Sequence, residues 1–146
     1  MIVLGTSVLV DAIIPFDAKR HALASKLTGT ISERGLKVYE PPLLAIELSG
    51  VLARYKPKEA VREHVGEVLA HVNTPGYGEL HEAALETALA TGRRAIDSFF
   101  TACAAKTGSM LVSNDKVQVQ SARKACVKAF YLLKEHRELH AELQRL

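Results

Sequence analysis

Tryptophan is absent from this 146-residue chain, aromatic residues make up only 5% of it, and there are just two cysteines. Two cysteines are too few for the disulfide framework on which small secreted domains rely. Cys103 falls on the apolar face of a predicted helix, which favours a buried free thiol. A Cys103–Cys126 bridge is the alternative, of the kind that intracellular proteins of hyperthermophiles tolerate. No apolar run approaches 18 residues, which argues against a membrane-spanning helix. The N-terminus lacks the basic region, apolar stretch and cleavage site of a secretory signal, so a cytoplasmic location is expected. Phosphate-cradling glycine motifs are missing too: Gly76-Tyr77-Gly78 has no third glycine and follows no clear strand. His136 and His140 are four apart, but Glu138 is misplaced for a zinc helix, so this segment reads as a solvated face.

What is present describes a soluble globular protein. Hydrophobic residues account for 48% of the chain, charged residues for 24%, and the net charge is +3. That length suits one domain over residues 1–146 with a substantial core. Basic residues thicken at Arg54/Lys56/Lys58/Arg62 and at Arg123/Lys124/Lys128, each read as a solvated helix face. Without tryptophan, a base-stacking platform is not expected, and any nucleic-acid contact would run through phosphates.

Apolar periodicity and breaker residues predict alternating strands and helices. Strands are expected over residues 2–4, 36–40, 110–113 and 128–132, with a weaker one over 70–74. Helices are expected over residues 8–14 (capped by Thr6 and Ser7), 17–34, 41–55, 57–69, 79–91, 94–107, 116–125 and 134–146. Strands alternating with helices imply an α/β fold whose parallel sheet is covered on both faces.

Three acids stand beside apolar runs. Glu47 falls within the stripe Leu44, Leu48, Val51, Leu52 and Tyr55, where an unpaired charge is costly and needs a partner. Asp97 borders the apolar face one turn into its helix, near Arg93 and Arg94. Asp115 follows the strand Met110-Leu111-Val112-Ser113, at the carboxyl edge where parallel sheets gather ligand sites. Each has a plain structural reading, as an ion pair or as the Asn114-Asp115 helix cap. Carboxylates converging from separate elements are also how a hard divalent cation is held.

In order along the chain, these segments resemble a PIN domain, and most closely its VapC-like toxin branch. Ile2-Val3-Leu4-Gly5-Thr6-Ser7-Val8-Leu9-Val10 is similar to the family's opening strand and turn. Residues 41–47, Arg94-Ala95-Ile96-Asp97 and Leu111-Val112-Ser113-Asn114-Asp115-Lys116 are similar to its three later acidic segments. The resemblance implies a three-layer α/β sandwich with a central parallel sheet of about five strands. It implies Mg²⁺- or Mn²⁺-dependent endonucleolytic cleavage of RNA, with Glu47, Asp97 and Asp115 as the acidic, metal-holding site. Thr6, Ser113 and Asn114 would support it, and an antitoxin partner and a homodimer are further implications. One position departs: the aspartate that normally precedes Thr-Ser is Gly5 here. The loss of that carboxylate implies weakened metal affinity and rate. The alternative is a catalytically degenerate PIN domain that binds RNA or protein. Asp11, about a turn beyond Ser7 on the first helix, is not expected to take the missing carboxylate's place.

Overall fold

A computed structural model describes all residues, 1–146. Three strands form its sheet: β1 (Ile2–Leu4), β2 (Met110–Ser113) and β3 (Ala129–Tyr131), in the order β1-β2-β3. All are parallel, with Val3 opposite Leu111 and Val112 opposite Phe130. Every residue of β1 and β2 is buried. Successive side chains of a strand point to opposite faces, so unbroken burial means that both faces are covered.

The sheet is narrower than the sequence suggests. The expected strands over 36–40 and 70–74 are reduced to isolated parallel bridges, Ile2 to Val38 and Tyr39 to Asn73. They continue the order outward from β1, so five chain segments lie side by side although only three are regular strands. Pro41 and Pro75 follow closely, and neither can donate a ladder hydrogen bond.

Eight helices surround the sheet: α1 (Thr6–Ile13), α2 (Ala18–Glu33), α3 (Leu44–Leu52), α4 (Lys58–Ala70), α5 (Tyr77–Thr91), α6 (Ala95–Thr107), α7 (Lys116–Lys124) and α8 (Leu132–Gln144). Asp17 caps α2 through the Arg20 N–H, and Gly92 and Gly108 end α5 and α6 in the left-handed conformation. Three boundaries differ from expectation. Gly5, not Thr6 or Ser7, is the N-cap of α1, because both hydroxyls serve long-range partners. Helix α3 is shorter than residues 41–55, since Pro41–Leu43 and Ala53–Tyr55 form turns at its ends. Helix α8 starts at Leu132, directly after β3.

Phe100, Leu44, Leu48, Leu52, Leu80 and Leu111 are fully buried in a single core cluster. Truncating any of these leucines to alanine removes about 2–5 kcal/mol. Both cysteines are free; Cys103 is buried, and burial pushes its thiol pKa up to about 12. Arg123 pairs with Glu135 at 2.6 Å and Lys128 with Glu142 at 2.5 Å, so the second basic cluster is largely spent on internal ion pairs. No helix is long and apolar enough to cross a membrane.

Candidate active site

Three elements bring the acids to one side of the molecule. In α3, Leu44, Leu48 and Leu52 recur every fourth residue and anchor the helix in the core. The adjacent row of Glu47, Val51 and Tyr55 consequently borders open space. Asp97 lies in the first turn of α6, only 7% exposed. Asp115 sits where the chain leaves β2 and enters α7. All three line one cavity of about 370 Å³, whose wall also includes Thr6, Ser7, Asp11, Arg20, Arg94 and Gln118.

Each carboxylate has a defined neighbour. The Thr6 hydroxyl donates a short hydrogen bond to Glu47 Oε2, which supplies the partner that the apolar setting demands. Arg94 Nε donates to Asp97 Oδ2 at 3.2 Å. Asp115 Oδ1 accepts from the Val117 and Gln118 N–H groups at 2.9 and 3.2 Å, capping α7. Its structural role and its position on the cavity therefore coincide. Ser113 Oγ accepts from the Asp115 N–H at 2.9 Å and lies 3.1 Å from Ser7 Oγ, which accepts from the Asn114 N–H at 2.9 Å. These hydroxyls fix the turn that carries Asp115.

Arg94 is the charge that sequence reading underrated. The Asp97 hydrogen bond first, then the charges of Asp97, Glu47 and Asp115, hold its pKa above the ordinary guanidinium value. Its exposed guanidinium thus stands in the field of all three acids as an internal counter-cation.

Asp11 also lines the cavity, although it lies on α1 as expected. It is 5% exposed, pairs with Arg20 Nε at 3.0 Å and accepts from Asn114 Nδ2 at 2.6 Å. Asn114 in turn accepts the Leu133 N–H at 3.0 Å, so it ties the site turn to both α1 and α8. The i, i+4 spacing of Ser7 and Asp11, which places both on one helix face, was the signal for Asp11.

At Gly5 the backbone is ordinary (φ −59°, ψ 146°), so glycine is not required by conformation. Space is what it provides. A Cβ there would lie 2.6 Å from Gln118 Oε1, 2.8 Å from Ser113 Oγ and 3.0 Å from Ser113 Cβ. Where the resemblance anticipates a carboxylate, side chains from β2 and α7 fill the volume.

The side-chain groups around the cavity that could ligate a metal are all oxygens, from carboxylates, hydroxyls and the Gln118 amide, which suit a hard cation that keeps several waters. No three His, Cys, Asp or Glu side chains lie close enough together to form a protein cage for a metal. These residues therefore fit a water-rich Mg²⁺ held by one or two carboxylates, and do not fit a closed structural site.

The PIN domain family model matches residues 2–124, and the chain belongs to that family. No curated protein sequence matches it. Among solved structures it is similar to VapC20 of Mycobacterium tuberculosis, a sarcin–ricin loop cleaving toxin. The identity is 21% and the TM-score 0.62, over 78% of this chain and 88% of that one. It is also similar to VapBC2 of Rickettsia felis bound to a promoter DNA fragment, at 19% identity and TM-score 0.57, over 89% and 98% of the two chains. FitAcB of Neisseria gonorrhoeae matches at 18% identity and TM-score 0.60, over 89% and 96%.

Proposed function

We propose that the chain is an endoribonuclease using Mg²⁺ or Mn²⁺, and the toxin of a toxin–antitoxin pair. One observation carries this reading: Glu47, Asp97 and Asp115, from three separate elements, border a single open cavity. One or two of Asp97, Asp115 and Glu47 would hold the cation directly, with water completing its shell and the remaining acid acting through that water. When bound, the cation would acidify a water and neutralise charge on the attacked phosphate. The chain's own groups do the positioning. Thr6 orients Glu47, the two N–H groups of α7 fix Asp115, and Ser113 with Asn114 holds the turn beneath it. Arg94 offers a guanidinium near Asp97 to contact a phosphate oxygen. The sarcin–ricin loop cleavage by VapC20 supports an RNA substrate, and VapBC2 on its promoter supports a cognate partner protein. A homodimer acting in the cytoplasm completes the proposal.

A second reading, a degenerate domain that binds without cutting, draws on the filled volume at Gly5 and the internal cation Arg94. Cleavage of single-stranded RNA by the purified chain in Mg²⁺ or Mn²⁺, compared with Asp97→Asn, separates the two. Metal-dependent cleavage lost in Asp97→Asn supports the nuclease. An inert chain that still binds RNA supports the degenerate domain, and cleavage that survives Asp97→Asn rules out the acidic site. A small antitoxin-like reading frame beside the gene is the expected mark of the toxin pairing; its absence would count against that pairing alone.

A further inference from the structure

We propose that Phe16 and Tyr55 form a stacking subsite for an unpaired base beside the phosphate bound at the acids. The substrate would accordingly be RNA presenting an unstacked nucleotide. Sequence reading did not anticipate such a platform, because the chain has few aromatics and the two are 39 positions apart. The fold unites them: Phe16 projects from the turn between α1 and α2, and Tyr55 from the turn after α3. Their ring centroids are 4.6 Å apart with planes inclined at 67°, an edge-to-face pair.

Both rings remain 59% and 54% exposed, so the pair holds its geometry while leaving aromatic surface open to solvent. Both also line the same cavity as Glu47, Asp97 and Asp115. A nucleotide whose phosphate sits at the acids thus has an aromatic surface within the same enclosure, and every base has a face that can stack on one.

The charge next to Tyr55 favours RNA over a basic protein ligand. Tyr55 stands between Arg54 and Lys56, with Lys58 and Arg62 following, and none of these four forms an ion pair with a carboxylate. The other basic cluster, by contrast, is consumed by Glu135 and Glu142. None of the four unpaired residues lines the cavity itself, but they lie in the chain directly around and after Tyr55. An acidic centre with unpaired basic residues next to its aromatic wall thus suits a phosphate chain that meets a cation at the centre and lysines and arginines beyond it. A basic peptide would be attracted at the centre but repelled by the basic residues around Tyr55.

This inference rests on the ribonuclease reading, and the test keeps the two apart. A short single-stranded RNA, 2′-O-methylated to resist cleavage and carrying 2-aminopurine at successive positions, is titrated into the full chain in Mn²⁺. The same titration is made with Phe16→Leu, Tyr55→Leu and the conservative Phe16→Tyr. Unmodified RNA is assayed for cleavage in parallel, and sedimentation velocity reports the assembly state of each variant. Quenching at one or two adjacent positions is expected, lost in both leucine variants together with about tenfold in Kd and retained in Phe16→Tyr. A duplex of the same sequence should bind without quenching. Unchanged quenching and Kd in both leucine variants would overturn the subsite, even if the chain cleaves RNA normally. A changed sedimentation mass in those variants would also overturn it, assigning the pair to a protein interface. Quenching that depends on both rings in a chain that never cuts would uphold the subsite and reject the nuclease.

Discussion

Restoring a carboxylate at position 5 is the natural test of what Gly5 does, and the surrounding contacts predict how it fails. In Gly5→Asp the backbone angles are acceptable to any residue, so strain arises only from contacts. The new Cβ would meet Gln118 Oε1 at 2.6 Å, Ser113 Oγ at 2.8 Å and Ser113 Cβ at 3.0 Å. Gln118 Oε1 ends a flexible side chain and can move, although Gln118 is only 6% exposed. Ser113 is less free, because its hydroxyl accepts from the Asp115 N–H and faces Ser7. Overpacking of this kind costs about 1–3 kcal/mol, or a Tm drop of roughly 3–10 °C at this chain length. Gln118→Ala should recover part of the loss in the double variant while Ser113 retains the rest. A thermal-melt cycle over Gly5→Asp, Gln118→Ala and the double variant should show a coupling of about 1 kcal/mol. Cleavage should follow the same order, with the double variant more active than Gly5→Asp alone. A Gly5→Asp protein that melts with the parent, or zero coupling to Gln118, would refute the argument that this volume is occupied.

Three further outcomes are expected. Arg94→Gln should tighten Mn²⁺ binding by about two- to fivefold in a calorimetric titration, since it removes an exposed counter-cation from the three acids; unchanged affinity would show that Arg94 does not compete. Asp115→Ala should lower stability by about 1 kcal/mol in denaturant unfolding through loss of the α7 cap, whereas Asp115→Asn should keep most of it; equal losses would remove the capping role. Glu40 is fully buried, its Oε1 accepts the Leu4 N–H at 2.7 Å and its Oε2 has no partner. Burial raises its pKa well above the ordinary 4.5, so the folded chain holds a proton that the unfolded chain releases. That stabilising contribution is complete below pH 4.5 and is lost as pH rises toward the folded value. Glu40→Gln should abolish this decline in unfolding midpoints measured from pH 4 to 8, and a parallel pH profile would contradict the assignment.

The elements were legible because local signals set them. Asp17 supplies the cap of α2, Gly35, Gly92 and Gly108 adopt positive φ where helices were expected to end, and the apolar run 110–113 is a buried strand. Shortened strands were not legible, since Val38–Tyr39 and Asn73 pair only through single bridges between distant segments. The acids stood out by clashing with their apolar surroundings. Of their neighbours only Arg94, three residues before Asp97, was visible in the sequence. The influence of Glu47 and Asp115 on Arg94, the pairing of Asp11 with Asn114 across 103 positions, and the approach of Gln118 to Gly5 depend on tertiary packing. Phe16 and Tyr55 were missed for the same reason: neither is unusual until the fold sets them edge to face at one cavity.

On the proposed reading, the carboxylate charge at the acid-lined cavity drives RNA cleavage with a divalent cation. Asp115→Asn tests it most directly, because asparagine keeps the cap while removing the charge. Single-turnover cleavage of unpaired RNA in Mg²⁺ should proceed with the parent chain, stop with EDTA, and fall at least about 100-fold in Asp115→Asn, with Tm held within a few degrees. Cleavage by Asp115→Asn at the parent rate, or parent cleavage that persists in EDTA, would contradict it.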